Sequence, residues 1–222
     1  MANVRYTIKD LKINVFKASI FGEKMNPILI DIPETIESST ITLQMPKAGY
    51  GEGLHQAIMD GYEDYVKYLN WSVVPPTKEM VEEDCRKHHA DFILRSFIRY
   101  LIIEKATKTI VGRCAFPSFQ TNWQIPQFGI SYFIRRSSRK KGYATAAAGM
   151  MVRLAFEKLR AKKVEIHCDA ENNASAQIPL KLGFKLEYTQ KGGWPRHDGN
   201  LAELQTYSIF SKDPLLHLEC VW

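Results

Sequence analysis

Arg135, Arg136, Arg139, Lys140 and Lys141 crowd one short stretch that ends at Gly142, and these are the residues whose types and spacing most directly suggest chemistry. An alternating apolar run, FGISYFI at residues 128–134, leads into them, and an alanine-rich segment follows. A strand that turns through a basic loop and a glycine into a helix makes an anion site. The first N–H groups of the helix have no partner within it and carry part of its dipole. Gly142 has no Cβ, so a bulky anion such as a phosphate can reach the main chain there, and Ala144 keeps the turn small. The same residues also read as a solvated charge run or a nucleic-acid patch. Two further places carry polar groups at suggestive spacing. Asn172 and Ser175 follow the run KVEIHC at residues 163–168, and on their own they are a turn residue and a helix cap. His197 and Asp198 lie between Gly192-Gly193 and Gly199, a composition that favours a flexible hairpin loop.

Other chemistry finds less support. Cys85, Cys114, Cys168 and Cys220 stand far apart with no C-x-x-C pair, which reads as reduced, structural thiols. The six histidines show no metal-ligand spacing, so no metal is expected. The 30 Lys+Arg exceed the 24 Asp+Glu to give +6, a balance that suits an anionic ligand without demanding nucleic acid. No stretch approaches the roughly 20 apolar residues that cross a bilayer, and MANVRYTIKDLK lacks the apolar centre of a signal peptide, so a cytoplasmic protein without a membrane partner is expected.

The elements that must position these residues follow from periodicity. The 222 residues suffice for one domain with an extension. Residues 1–32 hold two apolar runs, LKINVF and ILI, which form an extra strand pair or an arm that packs on the domain or on the second subunit of a homodimer; the sequence leaves these open. Residues 33–222 are the domain. Residues 40–45 alternate as a strand, and residues 52–70 have helical spacing broken at Gly61. Thr77 caps a helix expected over residues 78–94. Residues 98–104 and 109–116 form a hairpin, and residues 127–134 extend it to a meander. The wide apolar face of the helix after Gly142 calls for burial against a sheet. With residues 163–168 it makes a right-handed strand-helix-strand crossover, whose ligands bind at the carboxyl ends of the strands.

Arg139-Lys140-Lys141-Gly142-Tyr143-Ala144 has the form R-x-x-G-x-A, and this resembles the pyrophosphate loop of the GNAT (GCN5-related) N-acetyltransferases. Asn172, Ser175 and Leu182-Gly183-Phe184 look like that family's second signature, in the right order and separated by one helix and one strand. The stretch from 170 to 184 further resembles the RimJ/RimL-like branch, which acetylates ribosomal-protein amino termini, with agreement at Leu69-Asn70-Trp71 and Val111-Gly112. The resemblance runs from about residue 33 to about 211. It implies an α/β (α+β) fold: a mixed sheet of about six to seven strands, splayed between the fourth and fifth core strands, with about four helices. It implies acetyl-CoA as donor. Backbone groups of Phe133 and Ile134 would meet the pantetheine arm, and Arg139, Lys140, Lys141, Gly142, Tyr143, Ala144 and Thr145 would wrap the pyrophosphate. Asn172 would bind the arm near the thioester, and Ser175 would protonate the departing thiolate.

Acetyl transfer to nitrogen needs a neutral amine, a donor to the oxyanion and an acid for sulfur. An α-amine of pKa near 8 is about a tenth neutral at pH 7, whereas a lysine near 10.4 needs roughly 4.6 kcal/mol of help. Where some relatives carry a glutamate base, this chain has Trp194, with His197 and Asp198 beyond, so Asp198 is the candidate base alongside His197 or water. The expected acceptor is a ribosomal or other protein N-terminus. A small amine of polyamine or aminoglycoside type is the alternative, and a non-catalytic acyl-CoA-binding or RNA- or ribosome-binding module is the competing class.

Overall fold

A computed structural model describes residues 26–68 and 74–222. Its strands are β1 (Thr35–Glu37), β2 (Ile41–Gln44), β3 (Ile98–Glu104), β4 (Ile110–Phe116), β5 (Thr121–Asn122), β6 (Gln127–Ile134), β7 (Lys163–Asp169), β8 (Lys185–Pro195) and β9 (Leu201–Ile209). The helices are α1 (Gly51–Met59), α2 (Tyr62–Tyr68), α3 (Lys78–Leu94), α4 (Tyr143–Glu157) and α5 (Asn173–Lys181). The strands form one sheet in the order β1-β2-β3-β4-β6-β7-β9-β8, with β5 alongside β6. Every pairing is antiparallel except β6 with β7.

Alternation along the strands divides the molecule into two layers of helix on one sheet. Tyr100, Ile102, Cys114, Phe128 and Ile130 face α4 in the larger core, whereas Leu101, Ile110 and Phe133 face α1 and α3 in the smaller one. Thr77 starts α3 as expected, its Oγ1 accepting the Met80 N–H at 3.2 Å. α4 is buried on more than its sheet face because the carboxyl-terminal segment lies across it. A Cβ on Gly149 would stand 2.5 Å from Leu218 Cδ1. Arg153 donates to the Leu218 carbonyl and stacks over the Trp222 ring.

Seven long strands and the crossover agree with the expected architecture. β1 and β5 are two short additions, and the helices among the described residues number five rather than four. Of the two apolar runs before residue 33, the first lies outside the described residues. The second, left open between a strand and a packing arm, forms a 3₁₀ turn, Pro27–Leu29, in which Asn26 Oδ1 accepts the Ile28 N–H, because Pro27 fixes φ and supplies no ladder donor. Arg95 holds the segment through the Ile30 carbonyl. Leu69-Asn70-Trp71 also falls outside the described residues. Gly192 and Gly193, read as loop, belong to β8, where the register with β9 shifts between Gln190 and Trp194 and the bulge accommodates them.

The sheet opens where β6 and β7 part. Their ladder runs from Gln127↔Lys163 to Ile130↔Ile166 and stops. Beyond it β6 stays with β4 through Ile134, and β7 stays with β9 through Asp169. The fork depends on a close approach at Gly112, where a Cβ would stand 2.0 Å from the Phe133 carbonyl oxygen. Backbone cannot yield as a flexible side chain does, so Gly112→Ala is expected to destabilise the fold by about 2 kcal/mol or more. Urea unfolding measures this as a midpoint about 1 M lower; an unchanged midpoint would refute the packing argument.

Candidate functional site

The basic turn folds as a 3₁₀ turn, Arg136–Ser138, followed by two left-handed residues, Lys140 (φ 62°) and Gly142 (φ 83°), before α4 begins. This winding gathers main-chain donors. The N–H groups from Lys140 to Thr145 find no main-chain acceptor among the described residues, and the first amide to join the helical ladder is Ala146, bonded to the Gly142 carbonyl at 3.0 Å. A Cβ built on Gly142 meets nothing within 4 Å, so the loop is open on that side. A concave row of N–H groups at a helix N-terminus is an oxyanion cradle.

The loop's charges are arranged differently from a solvated run. Asp60 accepts from Arg135 Nε at 2.8 Å, and Asp64 accepts from Arg136 Nε at 3.2 Å and Arg139 Nη1 at 2.6 Å. The Arg136 and Arg139 guanidiniums hold the Asp64 carboxyl below its ordinary range. Lys141 lies 3.4 Å from Glu104, which leaves Lys140 as the cation of this turn without an ion pair among the described residues. Three arginines therefore tie the loop to α2 and to the α1–α2 junction, and the N–H groups face outward.

A cleft of about 640 Å³ leads from this loop into the fork. It is bordered by Gly142, Tyr143, Ala144 and Thr145 at one end and by Tyr132, Asn172 and Ser175 at the other. The Arg135 N–H donates to the Val111 carbonyl at 2.8 Å. By antiparallel alternation Phe133 then spends its main-chain groups on β4, and Tyr132 and Ile134 turn theirs to the fork. Of the two residues expected there, Ile134 is the one whose backbone faces it, and its carbonyl accepts from Tyr65 Oη at 2.8 Å and Arg139 Nε at 3.3 Å. Asn172 caps α5, its Oδ1 accepting the Ser175 N–H at 3.1 Å. Ser175 Oγ lies 3.2 Å from the Tyr132 hydroxyl. Burial raises the Tyr132 phenol well above its ordinary value, so it stays protonated, and burial pushes the Cys168 thiol up to about 11, which keeps that sulfur inert.

A second cavity, about 340 Å³, opens on the α1–α3 side of the sheet and shares Tyr132, Asn172 and Ser175 with the cleft. Its walls include Arg99, Arg113, Phe119, His167 and Trp194. Trp194 is brought there by the β8–β9 hairpin, which Arg196 fastens to the end of β7. Arg196 Nε lies 2.8 Å from Asp169 Oδ2, and Arg196 Nη2 lies 2.9 Å from Asp169 Oδ1 and from Glu171 Oε2. Asp198 and His197 do not join the group: both are exposed at the hairpin tip, line neither cavity, and Asp198 accepts the Asn200 N–H at 2.9 Å. Sequence reasoning passed over Tyr132, Arg99, Arg113 and His167 because each sits in a strand, where an aromatic or long side chain reads as ordinary β patterning. Among the described residues no three His, Cys, Asp or Glu side chains group as metal ligands, and no helix is long and apolar enough to cross a membrane.

Residues 41–185 match the family model described as Acetyltransferase (GNAT) domain. Over 182 residues the chain is 24% identical to the uncharacterized N-acetyltransferase p20 of Bacillus licheniformis, covering 81% of this chain and 98% of the relative. Among solved structures, RimL, a ribosomal L7/L12 α-N-protein acetyltransferase in complex with coenzyme A, superposes with a TM-score of 0.71. The two are 18% identical over 82% of this chain and 98% of that one. The microcin C7 self-immunity acetyltransferase MccE, in complex with acetyl-CoA and AMP, gives 0.70 at 20% identity, over 78% and 93% of the two chains.

Proposed function

The chain belongs to the GNAT acetyltransferases, and from that premise we propose that it carries the acetyl group of acetyl-CoA to the α-amine of a protein N-terminus. The observation that carries the reading is the junction at Tyr132 and Ser175, where a cleft ending in a row of main-chain donors meets a second cavity through the open fork of the sheet. Coenzyme A fits this arrangement. The unpartnered amides from Lys140 to Thr145, with Lys140 beside them, suit a pyrophosphate, and the N–H groups of Tyr132 and Ile134 suit the amides of an extended arm. The bound donor supplies an activated acyl thioester. The chain's own residues orient it, offer N–H groups to the developing oxyanion and hold a hydroxyl where the sulfur departs.

The acceptor class follows from what the second cavity contains. Among the described residues Asp169 is the carboxylate of its lining, and Arg196 already occupies both of its oxygens. His167, also in the lining, has its ring nitrogens beside Thr206 Oγ1 at 3.0 Å and Glu165 Oε2 at 3.6 Å, so among the described residues no carboxylate of the lining is free to strip a lysine, and an α-amine, neutral in about a tenth of molecules at pH 7, needs none. RimL, which shares the fold, is itself described as acting on a protein α-amine.

Release of free thiol from acetyl-CoA over a panel of synthetic peptides tests the proposal. Peptides with a free N-terminus are expected to give turnover, and the same peptides with a blocked N-terminus and an internal lysine are expected to give less than about a hundredth of it. Turnover confined to lysine or to polyamines would overturn the assignment of the acceptor. No heat on titration with coenzyme A would overturn the assignment of the donor.

A further inference from the structure

Two buried guanidiniums with one carboxylate between them stand in the wall of the acceptor cavity. Arg99 on β3 and Arg113 on β4 both line it, with side chains only 10% and 17% exposed. Arg99 Nη1 lies 2.7 Å and Arg113 Nη1 3.3 Å from a single oxygen, Oδ2 of Asp84 on α3. The other oxygen, Oδ1, is taken by His88 at 3.1 Å. Arg99 Nε is buried and has no hydrogen-bond partner among the described residues. A buried donor left so is costly, and among the described residues one carboxylate oxygen serves both guanidiniums, so a further negative charge is favourable here. Asp169, also in the lining, does not supply that charge, because Arg196 holds both of its oxygens.

We propose that the acceptor carries an oxyanion, a carboxylate or a phosphate a short distance from its amine, and that Arg99 and Arg113 bind it. The inference rests on the acetyl-transfer reading and narrows its acceptor. Position favours it: Arg113 is the cross-strand partner of Phe133 and its guanidinium lies over that ring, one strand away from the open edge of β6. An anion held there sets the amine of a small or extended acceptor toward the fork. Charge favours it as well. A polyamine would meet like charge in this wall, whereas an amine with its own anion enters with little net charge. Once seated, the amine lies near two cations that lower its pKa and enlarge its neutral, nucleophilic fraction.

Initial rates with matched acceptors test this, each corrected for the neutral fraction of its amine. One arm compares Ala-Asp-Ala-Ala with Ala-Asn-Ala-Ala peptide amides; the other compares phosphoethanolamine with ethanolamine. The two arms separate a peptide carboxylate from a small phosphorylated amine. The anionic member of at least one pair is expected to exceed its neutral partner about tenfold or more in kcat/KM, through KM. In Arg99→Gln and Arg113→Gln that ratio should fall below about three while the affinity for coenzyme A, measured by calorimetry, stays the same. Arg99→Lys and Arg113→Lys keep the charge beside Asp84, guard against misfolding, and should retain an intermediate ratio. A wild-type ratio near one or inverted in both arms overturns the inference, as does a ratio that survives both glutamine substitutions. Binding of coenzyme A with no turnover of any of these acceptors also overturns it and leaves the donor site standing. Absence of coenzyme A binding would instead sink the reading on which it rests.

Discussion

Replacing Gly142 with valine is expected to weaken coenzyme A binding at least about a hundredfold, close to 2.8 kcal/mol. Two costs combine. Gly142 holds φ at 83°, a left-handed conformation that costs a non-glycine residue of order 1–3 kcal/mol, at the upper end for a β-branched one. Relaxing that strain moves the N–H groups on either side out of line. Hydrogen bonds to a charged phosphate are worth about 1.5–3 kcal/mol each, so misaligning one or two suffices. The side chain would also project into the open space over the loop. Gly142→Ala separates the two, because a methyl fits that space and only the backbone cost remains, for which a loss of about tenfold is expected. Pantetheine, which has no pyrophosphate, should bind the wild type and Gly142→Val nearly equally. Coenzyme A affinity within threefold of wild type in Gly142→Val would show that the loop is not the phosphate cradle.

How far such a loop is legible beforehand depends on which groups do the work. The strand, the glycine and the helix start announce themselves, because each leaves a local pattern: alternation at residues 128–134, a missing Cβ, an alanine-rich helix. Lys140's left-handed φ and the row of free amides leave none, because no glycine marks the first and the second is a property of the main chain. The charges misled for a related reason. A run of cations looks the same in sequence whether it faces solvent or is met by carboxylates, and Asp60 and Asp64 come from helices about 75 residues earlier in the chain. Five of the long strands, at residues 40–45, 98–104, 109–116, 127–134 and 163–168, and the crossover helix were readable from periodicity, whereas β8 and β9 came only with the family resemblance. β1 and β5 were not, since two or three residues carry no period. Arg99 and Arg113 are the clearest case of a site hidden by folding. Each alternates with buried neighbours in a strand, and only the pairing of β3 with β4 and the placement of α3 bring them to one aspartate. Asp198 shows the converse. It has the right chemistry close in sequence to a tryptophan of the cavity, yet the hairpin turn points it into solvent and its carboxylate is occupied in holding that turn.

Removing either hydroxyl at the junction, by Ser175→Ala or Tyr132→Phe, is expected to lower kcat about a hundredfold, within the 10²–10⁴ that a positioned acid contributes, and to leave coenzyme A affinity unchanged. The departing sulfur must take a proton as its bond to the acyl carbon breaks. Ser175 Oγ borders both cavities, but an alkyl hydroxyl is a poor acid by itself. Its neighbour is better suited: the Tyr132 hydroxyl lies 3.2 Å from it, and burial keeps the phenol protonated well past its ordinary value. A proton passed from Ser175 to sulfur and replaced from Tyr132 never leaves a full charge on the serine oxygen, and the phenol later regains its proton from the acylated amine through solvent. Groups acting as one unit are non-additive, so the double variant should be no slower than the worse single one within about threefold. The pH profile carries an independent sign. The wild-type rate should rise with pH as the acceptor amine loses its proton near pH 8, and no falling limb should appear below about pH 10, because the raised phenol remains an acid throughout. Full turnover in Ser175→Ala, or two losses that multiply in the double variant, would mean that the proton reaches sulfur by another route.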